Sequence, residues 1–170
     1  WNVFNNGVQQ LATESVSKDS SRFLLPAFSL SVGVFYQVSV SVSAPGNAQT
    51  SSASVQVFVQ SANIIASIRG GSVRTVRIGS SLLLDASTSA DEDVALVTGL
   101  SAGLAFSWSC SQTSPVFAAT CVSLFNNSVW TTPILELYPL SSAAGLEGRV
   151  TVQVSDAQGS RTSSTSVLVS

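Results

Sequence analysis

The chain has 170 residues, 45% of them hydrophobic, and only 9% are Asp, Glu, Lys or Arg, against roughly 25% in an ordinary globular protein. The length fits one domain or two small ones, and the apolar content supplies a core, which excludes the low-hydrophobicity, high-charge composition of disordered chains. A net charge of -2 offers no basic footprint for nucleic acid and no polybasic patch for a lipid surface, and the absence of His removes the commonest general base and zinc ligand.

Period-two alternation runs through the whole chain, and helical periodicity is nearly absent. A first strand begins near Trp1 and is followed by an irregular region. Leu30-Ser31-Val32-Gly33-Val34-Phe35 then leads into Tyr36-Gln37-Val38-Ser39-Val40-Ser41-Val42, a strand with one face on a core, Tyr36 included, and one face outward. Ala44-Pro45-Gly46-Asn47 is a turn, and Val55-Gln56-Val57-Phe58-Val59 is the next strand. Leu82 and Leu84 mark another. Leu104, Phe106, Trp108 and Cys110 share one face of a further strand, with Ala105, Ser107 and Ser109 on the other. Leu135 and Leu137 mark a weaker strand, Val150-Thr151-Val152-Gln153-Val154 a strong one, and Asp156-Ala157-Gln158-Gly159 turns the chain into a last strand ending at Val167 and Val169. Many short strands separated by turn signals predict an all-β, antiparallel sandwich of immunoglobulin-like type.

The order of these elements recurs. Trp1, the irregular region, the alternating strand, the turn and the Ser-rich strand return from Trp108 as an irregular region, Leu140 to Gly148, the strand from Val150, a turn and a Ser-rich strand. The offset of roughly 110 residues is close to the ~100 of one immunoglobulin-type module. The expectation is therefore tandem modules, with residues 63–170 complete and residues 1–62 forming the C-terminal strands of an incomplete one. A half-sandwich exposes core and unpaired edges, so something outside the segment completes it.

Four features bear on location. Cys110 and Cys121 are too far apart for a redox C-x-x-C pair and too few for a zinc site. They read as a local disulfide, the alternative being two buried free thiols; such a bridge belongs to an oxidising compartment and contributes somewhat under ~3 kcal/mol. A weakly charged surface needs glycans or neighbouring modules to conceal it, and both point outside the cell. The apolar runs Phe23 to Leu25 and Leu82 to Leu84 are far too short for a bilayer, which takes about 20 residues. With no initial Met and no signal peptide, the chain reads as a mature fragment, any membrane anchor of the parent lying elsewhere.

Ile64-Ile65-Ala66-Ser67-Ile68-Arg69-Gly70-Gly71, then Leu83-Leu84-Asp85-Ala86-Ser87-Thr88-Ser89-Ala90-Asp91-Glu92-Asp93, then Phe106-Ser107-Trp108-Ser109-Cys110, resemble the receptor-for-egg-jelly (REJ) region, which is related to the PKD repeats of polycystin-type proteins. The resemblance implies an immunoglobulin-like fold in large surface proteins, some polycystin-like receptors and others adhesive or fibrous coat components. The REJ region of receptors often precedes a self-cleavage site; its His-containing motif has no counterpart here, so cleavage is not carried over.

Asp85, Asp91, Glu92 and Asp93 form the one acidic cluster. Closely spaced carboxylates can hold calcium, at Asp85, Asp91 and Asp93, but the spacing is not that of an EF-hand. The other reading is structural, with Asp and Ser side chains capping a turn; a paired-carboxylate glycosidase is a third, lacking a cleft. No other cofactor is expected. Asn126-Asn127-Ser128 is an N-x-S glycan acceptor at Asn126, or a chance tripeptide. The runs Thr50 to Ser54 and Thr162 to Ser166 read as plain outward faces or as O-glycan carriers. Trp108 reads as core beside Leu104 and Phe106, with Trp1 in the equivalent place and Trp130 as an exposed contact. Arg69, Arg74 and Arg77 read as a solvated edge, and Gly70-Gly71 as a turn. Without His there is no Ser-His pair, and no G-x-S-x-G elbow or phosphate loop occurs.

The composition and repeat predict a non-enzymatic structural or adhesive module of a long extracellular or filament-forming glycoprotein, its partners neighbouring modules and glycans rather than nucleic acid or membrane. The alternative is a ligand-binding or mechanosensory ectodomain module of a polycystin-like receptor.

Overall fold

The computed structural model describes every residue except 47–48 and 127–129. Asn47 of the first turn and two residues of the glycan acceptor lie outside the described set. The chain divides into two compact units, Trp1–Ser61 and Ala62–Ser170. It is all-β, with two short 3-10 turns and no α-helix among the described residues.

Unit 1 is one antiparallel sheet of β1 (Asn2–Asn5), β2 (Val8–Gln9), β3 (Phe35–Ser43) and β4 (Thr50–Phe58), in the order β2-β1-β3-β4. Directly opposed residues share a face. The pairs Tyr36↔Val57, Val38↔Val55 and Val3↔Val38 therefore gather the apolar side chains on one side. Val3, Tyr36 and Val38 are buried there, under Phe23, Leu30 and Val34 of the irregular segment. Trp1 departs from the core place expected of it: it is 43% exposed, stacks on Phe23 at 5.4 Å and donates its indole N–H to the Ser20 carbonyl at 2.8 Å.

Unit 2 contains β5 (Ile64–Ile65), β6 (Val73–Arg74), β7 (Leu82–Asp85), β8 (Ala90–Asp91), β9 (Ala105–Ser114), β10 (Ile134–Leu137), β11 (Glu147–Ser155) and β12 (Thr162–Val169). They form a four-stranded sheet, β6-β12-β11-β9, and two pairs, β10-β7 and β5-β8. One core takes residues from all three: Leu84, Leu135 and Leu137 from the β7–β10 pair, Ile64 from β5, and Phe106, Trp108, Val150, Val152, Val154, Val167 and Val169 from the large sheet. The three valines of β11 are fully buried, each worth ~1.5–3 kcal/mol relative to exposure. Among the described residues the ladders are antiparallel except one: β6 runs parallel to β12. The segment that bonds β8 through β5 crosses to β12 through β6, and Gly70, at φ +87, makes the break between them.

The sequence repeat reappears as a repeat of register. Tyr36↔Val57, Val38↔Val55, Val40↔Ala53 and Val42↔Ser51 in β3–β4 correspond to Gly148↔Val169, Val150↔Val167, Val152↔Thr165 and Val154↔Ser163 in β11–β12. Val3 opposite Val38 corresponds to Cys110 opposite Val150. Equivalent places differ in burial: Val154 is inaccessible, whereas Val42 is 63% exposed. In the 170-residue chain, Val154→Ala is expected to lower the stability of unit 2 by about 2 kcal/mol and Val42→Ala to change unit 1 by less than about 0.5 kcal/mol, read from urea unfolding.

Candidate functional site

The densest polar constellation surrounds Arg161, which follows the β11–β12 turn. Its Nη2 lies 2.7 Å from Asp91 Oδ2 and its Nη1 3.0 Å from Asp91 Oδ1, a two-point pair. The same Nη1 reaches Asp93 Oδ2 at 2.7 Å and the Ala62 carbonyl at 3.1 Å, while Nε reaches Asp156 Oδ2 at 3.1 Å. Asp91 and Asp156 are buried and Arg161 is about a quarter exposed.

The carboxylates are held from their other sides. Asp93 accepts the Ala62 amide, Asp91 accepts the amide of Asp93, and Glu92 accepts the amide of Asn63. Asp156 accepts both the amide and the hydroxyl of Ser160, at 2.8 and 2.7 Å. The Ser160 hydroxyl, assisted by Arg161, holds the Asp156 carboxyl down at about 2. The carboxylates around it, Asp91 first, raise the guanidinium above its ordinary value.

Asp85 stands elsewhere. It accepts the Ser87 amide at 2.9 Å and faces Arg69 Nε at 3.5 Å, and its carboxyl is lowered chiefly by Ser87. Further along the same run, Ser89 is fully buried, donates its hydroxyl to the Ala86 carbonyl and accepts the Ser67 amide. Asp91 and Asp93 share the Arg161 guanidinium while Asp85 faces Arg69, contacts that accord with the turn-capping reading of the run, and among the described residues no group of His, Cys, Asp or Glu is arranged to hold a metal ion. The side chains bind backbone amides and one another.

At another place in unit 2, Cys110 on β9 is bonded to Cys121. The bridge lies over Gly148, the first residue beyond a register shift in β11. A Cβ at Gly148 would meet Leu124 Cδ2 at 2.9 Å and the two sulfurs at 3.2 and 3.4 Å, so glycine is what admits the disulfide. The equivalent place in unit 1 holds Tyr36. Leu104, Phe106 and Trp108 are buried; Trp108 donates its indole N–H to the Thr132 carbonyl at 2.7 Å and its amide to the Trp130 carbonyl. Trp130 is half-buried against the core rather than an exposed contact. Trp108, Trp130, Val122 and the disulfide line an open cleft of about 350 Å³. Asn126 is exposed, its amide bonded to the Tyr138 carbonyl. Arg74 donates to the Arg69 carbonyl at 2.6 Å, on the β6 edge of the large sheet.

A family model described as the REJ domain matches residues 1–170. The chain belongs to the REJ domain family. No curated protein matches it. Among solved structures, a nucleoside hydrolase-related hypothetical protein from Saccharophagus degradans, described as associated with carbohydrate metabolism, is similar at 19% identity and TM-score 0.45, over 65% of this chain and 26% of that one. The chain thus spans about a quarter of that protein, and a likeness at this level carries no argument about fold or function. REJ membership, together with the disulfide, accords with an extracellular segment, and no helix among the described residues is long and apolar enough to cross a membrane.

In this REJ domain the acidic run was legible in the sequence, but its cation was not. Arg161 lies 70 residues from Asp91; the available signal was a lone Arg beside a turn Asp in a stretch otherwise without charge.

Two measurements follow. Asp156 has a lowered folded value, so its contribution is present above the unfolded value near 3.8 and is lost as pH falls through about 2. The thermal midpoint should drop between about pH 4 and pH 2, and Asp156→Asn should lower the midpoint at pH 7 while flattening that drop. Gly148→Val should destabilise unit 2 by about 2 kcal/mol, with part of the loss recovered when Cys110 and Cys121 are both replaced by Ser, as urea unfolding would register.

Proposed function

We propose that the chain is a non-catalytic structural or adhesive repeat of a long extracellular or filament-forming glycoprotein, its units being immunoglobulin-like modules in tandem. The observation that carries this reading is the chemistry of the outward sheet faces. In unit 1 the faces of β1, β3 and β4 away from the core present Asn2, Phe4, Phe35, Gln37, Ser39, Ser41, Ser52, Ser54, Gln56 and Phe58, with no charge. In unit 2 the corresponding face presents Ser107, Ser109, Thr151, Gln153, Ser164 and Ser166, with Glu147 and Arg149 as the charges that β11 adds. Such faces pack against neighbouring modules or glycans without withdrawing ions from water, the step that makes association of charged surfaces expensive. In unit 2, the Asp and Arg side chains described above are engaged with backbone amides and with each other, which supports a structural role for them.

Membership of the REJ family supports a second reading, an ectodomain module of a polycystin-type receptor that binds a ligand or senses force. The two readings differ in how modules are distributed. Electron microscopy of native surface material labelled with an antibody to residues 62–170 should give label at a fixed axial spacing along fibres under the first reading. Single scattered labels on the cell membrane would reject it in favour of the receptor module. A glycan on Asn126 belongs to the same proposal: enzymatic deglycosylation in heavy-oxygen water should convert Asn126 to labelled Asp, and an unmodified peptide would remove that glycan from the account.

A further inference from the structure

The outward face of unit 1 is mostly Ser, but at one end it gathers aromatic rings and side-chain amides. Register places Gln9, Phe4, Gln37 and Gln56 in one row across all four strands, and Phe35 opposite Phe58 in the row beside it. The β1–β2 hairpin closes through Asn6 and Gly7, at φ 48 and 78, the two left-handed residues of a tight Asn-Gly turn. With Phe4, Phe35, Gln37 and Gln56, that turn borders an open hollow of about 180 Å³. Tyr36 reaches the hollow by its backbone alone. Its side chain is buried on the opposite face, where the hydroxyl accepts the Ser31 amide at 3.0 Å.

The lining defines what the hollow can take. Phe35 is 63% exposed, and the Phe58 ring, 4.5 Å away, braces it from the β4 side; a side chain held in place before binding loses less freedom on binding. Gln37, Gln56 and Asn6 are exposed, and their side-chain amides have no hydrogen-bond partner among the described residues. By contrast Gln9, Gln10 and Gln112 commit theirs to Asn2 and to the Val8 and Val116 carbonyls. No charged residue borders the hollow, so an ion placed there leaves water without gaining a counter-charge. A ring supplies an apolar surface, and an amide supplies a donor and an acceptor together. Their complement is a neutral ligand with an apolar face and a rim of hydroxyls, which is the chemistry of a pyranose. The volume lies below the ~300–1,000 Å³ of drug-sized sites and suits a single ring. A peptide strand would be drawn instead to the edge of β4, where its main chain finds ladder partners.

We infer that the hollow between the Asn6-Gly7 turn and Phe35 is a binding site for one neutral hexopyranose unit of a glycan. The C–H face of the sugar lies on Phe35 beside Phe4, and its hydroxyls exchange hydrogen bonds with the amides of Gln37, Gln56 and Asn6. This rests on the reading of the outward faces as contact surfaces and narrows it to one place and one ligand chemistry.

The test titrates the 170-residue chain with methyl β-D-galactopyranoside, methyl β-D-glucopyranoside and methyl α-D-mannopyranoside, with a heparin hexasaccharide as the sulfated probe, and follows side-chain amide resonances by NMR. At least one neutral glycoside should shift Gln37 and Gln56 with a Kd of about 1 mM, and saturating the Phe rings should reach its C–H protons. Phe35→Ala and Gln37→Ala, each with the remaining backbone resonances in place, should weaken binding about tenfold, and Phe117→Ala, exposed in unit 2, should leave it unchanged. The inference is overturned if no neutral glycoside shifts these resonances at about twenty times that concentration, if both unit 1 variants bind as the parent does, or if heparin binds there more tightly. Shifts of Gln37 and Gln56 that grow with protein concentration in the absence of sugar would assign the hollow to a second copy and overturn it as well. A missing sugar response leaves the axial spacing of label along fibres as the separate measure of the structural reading.

Discussion

In a chain with seven basic residues, unit 2 withdraws one of them, Arg161, largely from water and surrounds it with Asp91, Asp93 and Asp156. These carboxylates come from different places. Asp91 ends β8, Asp93 follows it, and Asp156 lies in the β11–β12 hairpin, while the Ala62 carbonyl marks the start of the unit. Apolar burial has no direction, so the valine and leucine faces of the large sheet and the β7–β10 pair could meet in several ways. The guanidinium fork has fixed geometry, and it joins the small β5–β8 pair to the hairpin of the large sheet at one position. A buried cluster of this kind is weak support for stability compared with an apolar replacement, but loss of its cation leaves carboxylates without a counter-charge.

The apolar alternation of β3, β9, β11 and β12 was readable because a half-buried strand must place one face on a core, and period two records that directly. The repeat was read from the same alternation, and the β3–β4 and β11–β12 hairpins can be aligned pair by pair. The two-residue strands β5, β6 and β8 are too short to show any period, and the parallel β6–β12 pairing depends on a crossing that no local pattern encodes. Trp1 was read as the counterpart of Trp108, yet it stands ahead of β1 and is 43% exposed while Trp108 is buried, since burial depends on residues from other strands. The acidic run, read alone, offered a turn cap or a calcium ligand set. Its partner lies far along the chain, and in the fold the run caps amides and holds Arg161.

Sequence economy runs in one direction through both units. Charges of unit 2 gather and pair around Arg161, and the outward sheet faces carry chiefly Ser, Thr, Gln and, in unit 1, Phe. The Phe35 and Phe58 rings lie 4.5 Å apart on the outward face of unit 1, a pair that supports the sheet without a core beneath it. Unit 2 adds a disulfide over Gly148, which pins the Cys121 loop to the β9–β11 ladder beside Trp108. The result is a polar, weakly charged surface on an apolar interior.

The most direct test of the structural account is the unfolding of Arg161→Ala, followed by urea titration with probes specific to each unit. The expected result is a loss of about 3 kcal/mol in unit 2, from leaving Asp91 buried without its cation, with unit 1 unchanged. A change of less than about 1 kcal/mol in unit 2 would contradict the claim that this guanidinium fixes how its strands and loops meet.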